Sequence, residues 1–319
     1  QRRWYLVLRL GRVGRRLLFT LTYLLLKQYY QILLMQKQIS RPEVIGIVFA
    51  IFAYLSFSLL DTIQKTLIIY YSVFQILFIK YIFTFLLSFI ESKRKKNLKF
   101  YLTNNWKLQL SRSFLSIIES GLFILAFRHL SLADAHSIGA LTPIVVVVFS
   151  FIFLKEKISL KIWIAVFTGF IGVLIVMRPG LTVFDAMSLI PLAAAFFLGL
   201  YQIVTRKVSV KDSNETSLFY SGFIGIILMG FISYFYWNPI TFEFILLFVG
   251  VGLLYSLGFY FQIIALSKAR ASIVQPFHFT LIFWAIIFGY FFYEDIPDLY
   301  TIIGAAIIAL SGIYIFQKK

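Results

Sequence analysis

Beyond residue 42 the chain alternates long apolar runs with short polar turns. The runs cover residues 43–66, 70–90, 109–129, 132–154, 159–177, 185–205, 215–236, 242–266, 271–292 and 298–316. Each approaches the roughly 20 residues that a helix needs to cross a hydrocarbon core of about 30 Å. None alternates apolar and polar positions at the period of two that a membrane barrel strand requires. The pattern predicts an all-α integral membrane protein with ten transmembrane helices.

The turns repeat as well as the runs. Lys155-Glu156-Lys157 separates the fourth run from the fifth, and Tyr293-Glu294-Asp295-Ile296-Pro297 separates the ninth from the tenth. The chain therefore reads as duplicated, with one copy at residues 43–180 and the other at 181–319. Five spans per copy is an odd number, so the second copy enters the membrane in the opposite orientation. Two inverted five-helix repeats are a recurrent plan of secondary transporters, in which similar halves rock about a midplane site.

Composition agrees: 61% hydrophobic and 13% charged residues leave too little polar surface for a soluble globule. A net charge of +17 would suggest a nucleic-acid partner in a soluble protein, but here its placement matters. With the segment before the first span in the cytoplasm, 25 of the 30 Lys and Arg fall on the cytoplasmic side. The outer side keeps Lys65, Arg128 and Arg178. Both termini are then cytoplasmic, and the charge reads as topology, with no nucleic-acid partner. Residues 1–42 place Arg2, Arg9, Arg12 and Arg16 near one helical face, which suits a basic helix on the membrane surface. The stronger expectation is an extension foreign to the mature protein. Cysteine is absent, there are three His, and no phosphate-binding GxxxxGK[ST] loop occurs. No metal and no cofactor are expected. A membrane enzyme would need clustered His, Asp or Asn, and the acids here are scattered.

Charges at mid-membrane are expensive, so each needs a reason. Lys80 and Glu119 fall about midway along the second and third spans, where an ion pair is geometrically open to them. Either Glu119 binds a cationic group or a coupling proton with Lys80 as a switchable partner, or the two form a permanent pair that fixes packing. Arg112, Ser116, Glu119, Phe123 and Ala126 share one face of the third span, which should look inward. Asp61 lies near the outer end of the first span with Lys65 one turn on, an exposed i,i+4 pair. Asp134 and His136 open the fourth span, where capping and interface roles compete with a proton-sensing gate. His278 lies deeper, either contacting substrate or proton or bonded to a neighbouring helix. Pro143 and Pro276 each remove a backbone donor and kink their spans. Gly169, Gly172, Gly304 and Gly312 suit close helix approach, and Glu156 and Glu294 suit turns rather than a site.

The first copy carries Ala126, Leu130-Ser-Leu-Ala-Asp-Ala135, Pro143, Leu154-Lys-Glu156, Gly169, Gly172-Val173 and Arg178-Pro179-Gly180. The second carries Ala265, Ala269-Arg-Ala-Ser272, Gln275-Pro-Phe277, Trp284, Gly289, Glu294-Asp-Ile-Pro-Asp298, Gly304 and Ser311-Gly-Ile-Tyr314. At matching spacing these resemble the EamA-type drug/metabolite transporter superfamily, over nearly everything after residue 42. The Pro-Phe, Glu-Asp-Ile-Pro-Asp and Ser-Gly-Ile-Tyr details are most similar to its branch of S-adenosylmethionine and riboflavin uptake proteins. Neighbouring branches export amino acids. The resemblance implies ten helices in two repeats and transport of a small organic metabolite by alternating access, with import and export both open. It places the protein in a bacterial inner membrane as a monomer or homodimer, with the lipid bilayer and a small-molecule substrate as partners. It also implies hinge roles for Pro143 and Pro276. It puts Tyr54, Phe197, Tyr201, Tyr255 and Trp284 at mid-depth on cavity-lining spans, where rings stack on a planar or cationic substrate. An integral membrane enzyme and a non-transporting scaffold stand as alternatives.

Overall fold

A computed structural model describes residues 41–155, 160–178, 186–269, 274, 277–278 and 280–316. The N-terminal extension, Glu156, Pro276 and the Pro179-Gly180 pair lie outside the described residues. The unit Ile45–Lys319 is built from the helices α1 (Arg41–Tyr70), α2 (Val73–Arg94), α3 (Trp106–His129), α4 (Leu132–Gly139), α5 (Thr142–Leu154), α6 (Leu160–Met177), α7 (Leu189–Val208), α8 (Asn214–Phe235), α9 (Phe242–Lys268), α10 (Thr280–Tyr293) and α11 (Leu299–Phe316).

Polar residues between the apolar runs set the helix ends. Ser72, Asn105, Ser131 and Ser213 each accept a hydrogen bond from a backbone N–H of the first turn that follows, capping α2, α3, α4 and α8. Lys155 and Glu294 take the left-handed conformation, each with φ 56°, and end α5 and α10. Among the described residues, seven helical stretches are long and apolar enough to cross a membrane, including Leu132–Phe153, which spans α4 and α5. Phe167–Val176, Thr280–Tyr293 and Leu299–Ser311 are apolar but shorter.

Two spans differ from the continuous helices expected. Residues 132–154 break at Ala140 and Leu141, and Pro143 sits in the first turn of α5. A proline costs nothing there, because the N–H it lacks has no intrahelical partner anyway. The freed Gly139 carbonyl accepts the Thr142 hydroxyl at 2.7 Å. The span is thus interrupted ahead of Pro143 rather than kinked through it. In the ninth span, Val274 is helical, Phe277 and His278 take 3-10 conformation, and α10 runs from Thr280.

Helices that correspond between the two copies pack on each other: α2 on α8, and α6 on α11. Glycine permits the second contact. A Cβ on Gly304 would lie 2.7 Å from the Gly172 carbonyl oxygen, and one on Gly172 would lie 2.9 Å from the Gly304 oxygen. α3 packs on α7, and α10 on α4. The largest buried cluster gathers Leu60, Leu67, Ile76, Tyr81, Tyr255 and Phe259 from α1, α2 and α9 around a polar cavity.

Candidate functional site

Within this bundle the described residues enclose a cavity of about 70 Å³ whose wall mixes charged and polar side chains with apolar ones. α1 lines it with Tyr54, Phe57, Leu60, Asp61 and Gln64, residues that recur on a single helical face. α2 supplies Lys80; α3 supplies Glu119, Ser120 and Phe123; α4 supplies His136. Leu198, Tyr255, Phe259, Gln262, His278 and Leu281 close it from the second copy.

Lys80 does not pair with Glu119. Its ammonium donates to Gln64 Oε1 at 2.9 Å and Ser120 Oγ at 2.5 Å, and it lies 4.2 Å from the centre of the Tyr255 ring. Two neutral acceptors and a π face thus account for three donors, leaving the cation no geometric need of a carboxylate. Glu119 lines the same space and makes no hydrogen bond or ion pair within 4.0 Å among the described residues. Its carboxylate is available to a ligand or a proton.

Asp61 departs further from expectation. It makes no pair with Lys65; its Oδ1 accepts from Gln64 Nε2 at 2.8 Å, and its Oδ2 lies 3.2 Å from His136 Nε2. The distance suits an ion pair with a protonated imidazole, while the alignment falls outside hydrogen-bond geometry. Lys65 instead pairs with Asp295 at 2.5 Å and lies over the Tyr293 ring. A chain of contacts now runs His136, Asp61, Gln64, Lys80, Ser120 across four helices. His136 is therefore a cavity residue as well as an interface residue. Asp134 has the interface role: it accepts from Ser131 Oγ at 2.7 Å and from Thr301 Oγ1 at 2.7 Å.

The aromatic candidates divide. Tyr54 and Tyr255 line the cavity, and Tyr54 meets His278 edge to face with ring centres 5.2 Å apart. The Tyr54 hydroxyl and both His278 nitrogens are buried without a hydrogen-bond partner among the described residues. Of the two alternatives for His278, the bond to a neighbouring helix is absent among the described residues. Tyr201 is buried behind the cavity wall, stacked on Phe259 at 5.8 Å. Trp284 stacks on Phe288 at 5.9 Å and Phe197 meets Phe196 edge to face; neither lines the cavity. Asp61, Gln64 and Gln262 line it although neither charge nor depth in the sequence places them there. The signal for the first two is their place on one face with Tyr54 and Phe57.

Polar contacts cross-link the helices at both ends of the bundle. At the Lys65 end, Tyr293 donates to the Thr62 carbonyl and shares a 2.7 Å hydrogen bond with Thr66, and Arg178 pairs with Asp298. Burial alone would raise the Asp298 carboxyl, but the Thr301 N–H and Arg178 hold it below its ordinary value. At the other end, residues 95–105 meet residues 209–213. There Asp212 accepts from the Thr103 hydroxyl, the Asn104 N–H at 2.8 Å and the Gln109 amide at 2.8 Å. Burial again opposes ionisation, yet these donors keep its carboxyl below the usual range. Between the cavity and the Asp212 end, the hydroxyls of Tyr81, Ser116 and Tyr255 form a triangle with edges of 3.4, 3.1 and 3.5 Å.

Comparison with known proteins agrees with the geometry. The EamA-like transporter family matches twice, at residues 44–178 and 186–317. The S-adenosylmethionine uptake transporter of Rickettsia conorii is 29% identical over 286 residues, 86% of this chain and 93% of that one. The riboflavin transporter of Vibrio cholerae is 29% identical over 217 residues, 67% of this chain and 73% of its own. A crystal structure superposes with a TM-score of 0.62 at 14% identity, over 84% of this chain and 95% of that one, which shows the shared fold.

Proposed function

Because the chain belongs to the EamA-like transporter family, we propose that it is a secondary transporter importing a small organic metabolite by alternating access. The observation that carries this reading is the cavity itself. Asp61, Lys80, Glu119, His136 and His278 are gathered inside helices whose other faces are apolar. Ionisable groups so placed are costly unless they serve a ligand or an ion. The cavity has room for a few waters, well below the roughly 300 Å³ at which ligand pockets begin. This form is then the closed intermediate of a cycle, and ligand entry requires one end to open.

In this reading the copies at 43–180 and 181–319 are inverted repeats of five crossings each, with broken α4–α5 counted as one. Both termini face the cytoplasm of a bacterial inner membrane, so the Asp212 end is cytoplasmic and the Lys65 end external. The packing of α2 on α8 and α6 on α11 supports a twofold relation between the copies. Glu119 takes the cationic group of the substrate or a coupling proton. With Asp61 and Glu119 against Lys80, the cavity favours a cation. S-adenosylmethionine, the cargo named for the Rickettsia relative, carries a sulfonium and an ammonium. Uptake of labelled S-adenosylmethionine, riboflavin and amino acids into proteoliposomes, under a pH gradient and in counterflow, tests the reading. Absence of flux for every metabolite would remove it.

A further inference from the structure

Phe259 lines the cavity and also carries the contacts of a second polar group: Arg112 Cζ lies 5.7 Å from its ring centre and Tyr201 stacks on it at 5.8 Å. Arg112 is wholly buried on α3. Its Nε donates to Gln109 Oε1 at 3.2 Å, and its Nη2 donates to Ser221 Oγ at 2.8 Å and to the Ser217 carbonyl. Its Nη1 has no hydrogen-bond partner, and no carboxylate forms an ion pair with it among the described residues. The buried hydroxyls of Tyr201 and Thr205, on α7, are also without partners among the described residues.

A membrane-buried guanidinium with no anion is an expensive helix tie, because neutral side chains could bridge α3 and α8 without the desolvation of a charge. The repeat supplies a reason for it. At the offset that brings the caps Ser72 and Ser213 and the helix starts Val73 and Asn214 into register, the cavity residues Asp61, Gln64 and Lys80 correspond to Gln202, Thr205 and Ser221. Of these, Ser221 bonds to Arg112 and Thr205 lies beside Tyr201, so part of the cavity wall recurs near Arg112 with neutral groups at the lysine and glutamine positions. Among the described residues the charge there is the arginine's. One half-site is rich in carboxylates, and its counterpart toward the Asp212 end is cationic.

We propose that Arg112, Tyr201 and Thr205 form a second station, which takes the carboxylate of the transported metabolite as the Asp212 end opens. Among the described residues Nη1 and the two hydroxyls make no hydrogen bond of normal geometry, although Tyr201 lies near enough to interact with both Arg112 and Thr205, and Arg is the side chain best matched to a carboxylate. This rests on the transport reading and adds a requirement to it: the cargo carries a carboxylate as well as a cation.

The test measures binding of S-adenosylmethionine and of its decarboxylated form to the protein in lipid nanodiscs. The two probes differ only in the carboxylate. Losing hydrogen bonds to a charged group costs about 1.5–3 kcal/mol, so the wild type should prefer the acid by roughly ten-fold or more. Arg112→Gln should bring the ratio near one, and Arg112→Lys should keep part of it. Tyr201→Phe, which leaves the arginine in place, should lower it about three-fold; this variant carries the test if Arg112→Gln does not fold. A purely structural tie weakens both probes together and leaves their ratio unchanged, which would overturn the proposal. Equal wild-type affinities, or no binding of S-adenosylmethionine, would overturn it too. Riboflavin flux in proteoliposomes without S-adenosylmethionine binding would sink the second station and leave the transport reading standing.

Discussion

Asp61 on α1 and His136 on α4 face each other across the cavity at 3.2 Å, joining the long first helix to the short half-helix that precedes the break at Ala140 and Leu141. The contact ties α1 to α4 across the cavity. Glu119, Lys80, His278 and Tyr54 line the same space. Asp61→Asn and His136→Gln should each lower uptake by about ten-fold or more at unchanged expression. Uptake that matches wild type across pH 5 to 8 in both variants would remove the pair from the mechanism.

Glu119 and Lys80 should separate function from stability. Glu119 loses no bonded partner on conversion to Gln, so Glu119→Gln should keep a thermal midpoint near wild type while uptake falls and its pH dependence flattens. Lys80→Gln breaks contacts to Gln64, Ser120 and the Tyr255 ring, and should lower the midpoint by several degrees. Lys80 and Glu119 make no direct ion pair, yet each acts electrostatically on the other across the cavity they share, so the double variant should depart from additivity in stability. An additive double variant would show that the two charges do not sense each other.

Tyr293 closes the Lys65 end through the Thr62 carbonyl and Thr66. The chain has no cysteine, so one introduced in place of buried Leu60 reports access to the cavity without background. Tyr293→Phe should raise its labelling by an external, membrane-impermeant maleimide several-fold. Unchanged labelling would place the closure elsewhere.

At the α6–α11 crossing, Gly304→Val should cost about 1–3 kcal/mol, because the added carbons meet the Gly172 carbonyl, which is backbone and cannot swing aside. Denaturation in mild detergent reads this directly. A variant as stable as wild type would show that the crossing is loosely packed.

The Asp212 network makes stability depend on acid. Its folded carboxyl ionises below the ordinary value of about 3.9, so its stabilisation is complete above that pH and is lost as pH falls through the lower folded value. Asp212→Asn should lower the thermal midpoint at pH 7 and reduce its fall in acid relative to wild type. Parallel pH profiles for the two proteins would exclude the network as the source.

Much of the architecture is legible in the residue order. Apolar run length predicts most of the helices, since in lipid every backbone group must be satisfied within its own segment. The matching turns Lys155-Glu156-Lys157 and Tyr293-Glu294-Asp295-Ile296-Pro297 expose the duplication, and the structure adds the helix caps Ser72 and Ser213 in register. Lys80, Glu119, Tyr54, Tyr255, His136 and His278 stand out by one-dimensional depth or pattern, and all six line one cavity. Tyr201 and Trp284 stand out on similar grounds and lie outside it. Depth does not say which way a side chain turns when aromatic residues are plentiful on every face.

Partners are the part that sequence could not supply. Lys65 has Asp61 one turn away, yet it pairs with Asp295, 230 positions distant. Asp61 turns instead to His136, and Lys80 finds Gln64, Ser120 and Tyr255 rather than Glu119. Hydrophobic periodicity specifies which residues share a helix face, because that is a matter of local geometry. Which face of another helix arrives opposite depends on the packing of glycines, rings and breaks throughout the bundle, so the cavity's bonded contacts, and the unused donors of Arg112 behind it, exist only once the helices have met.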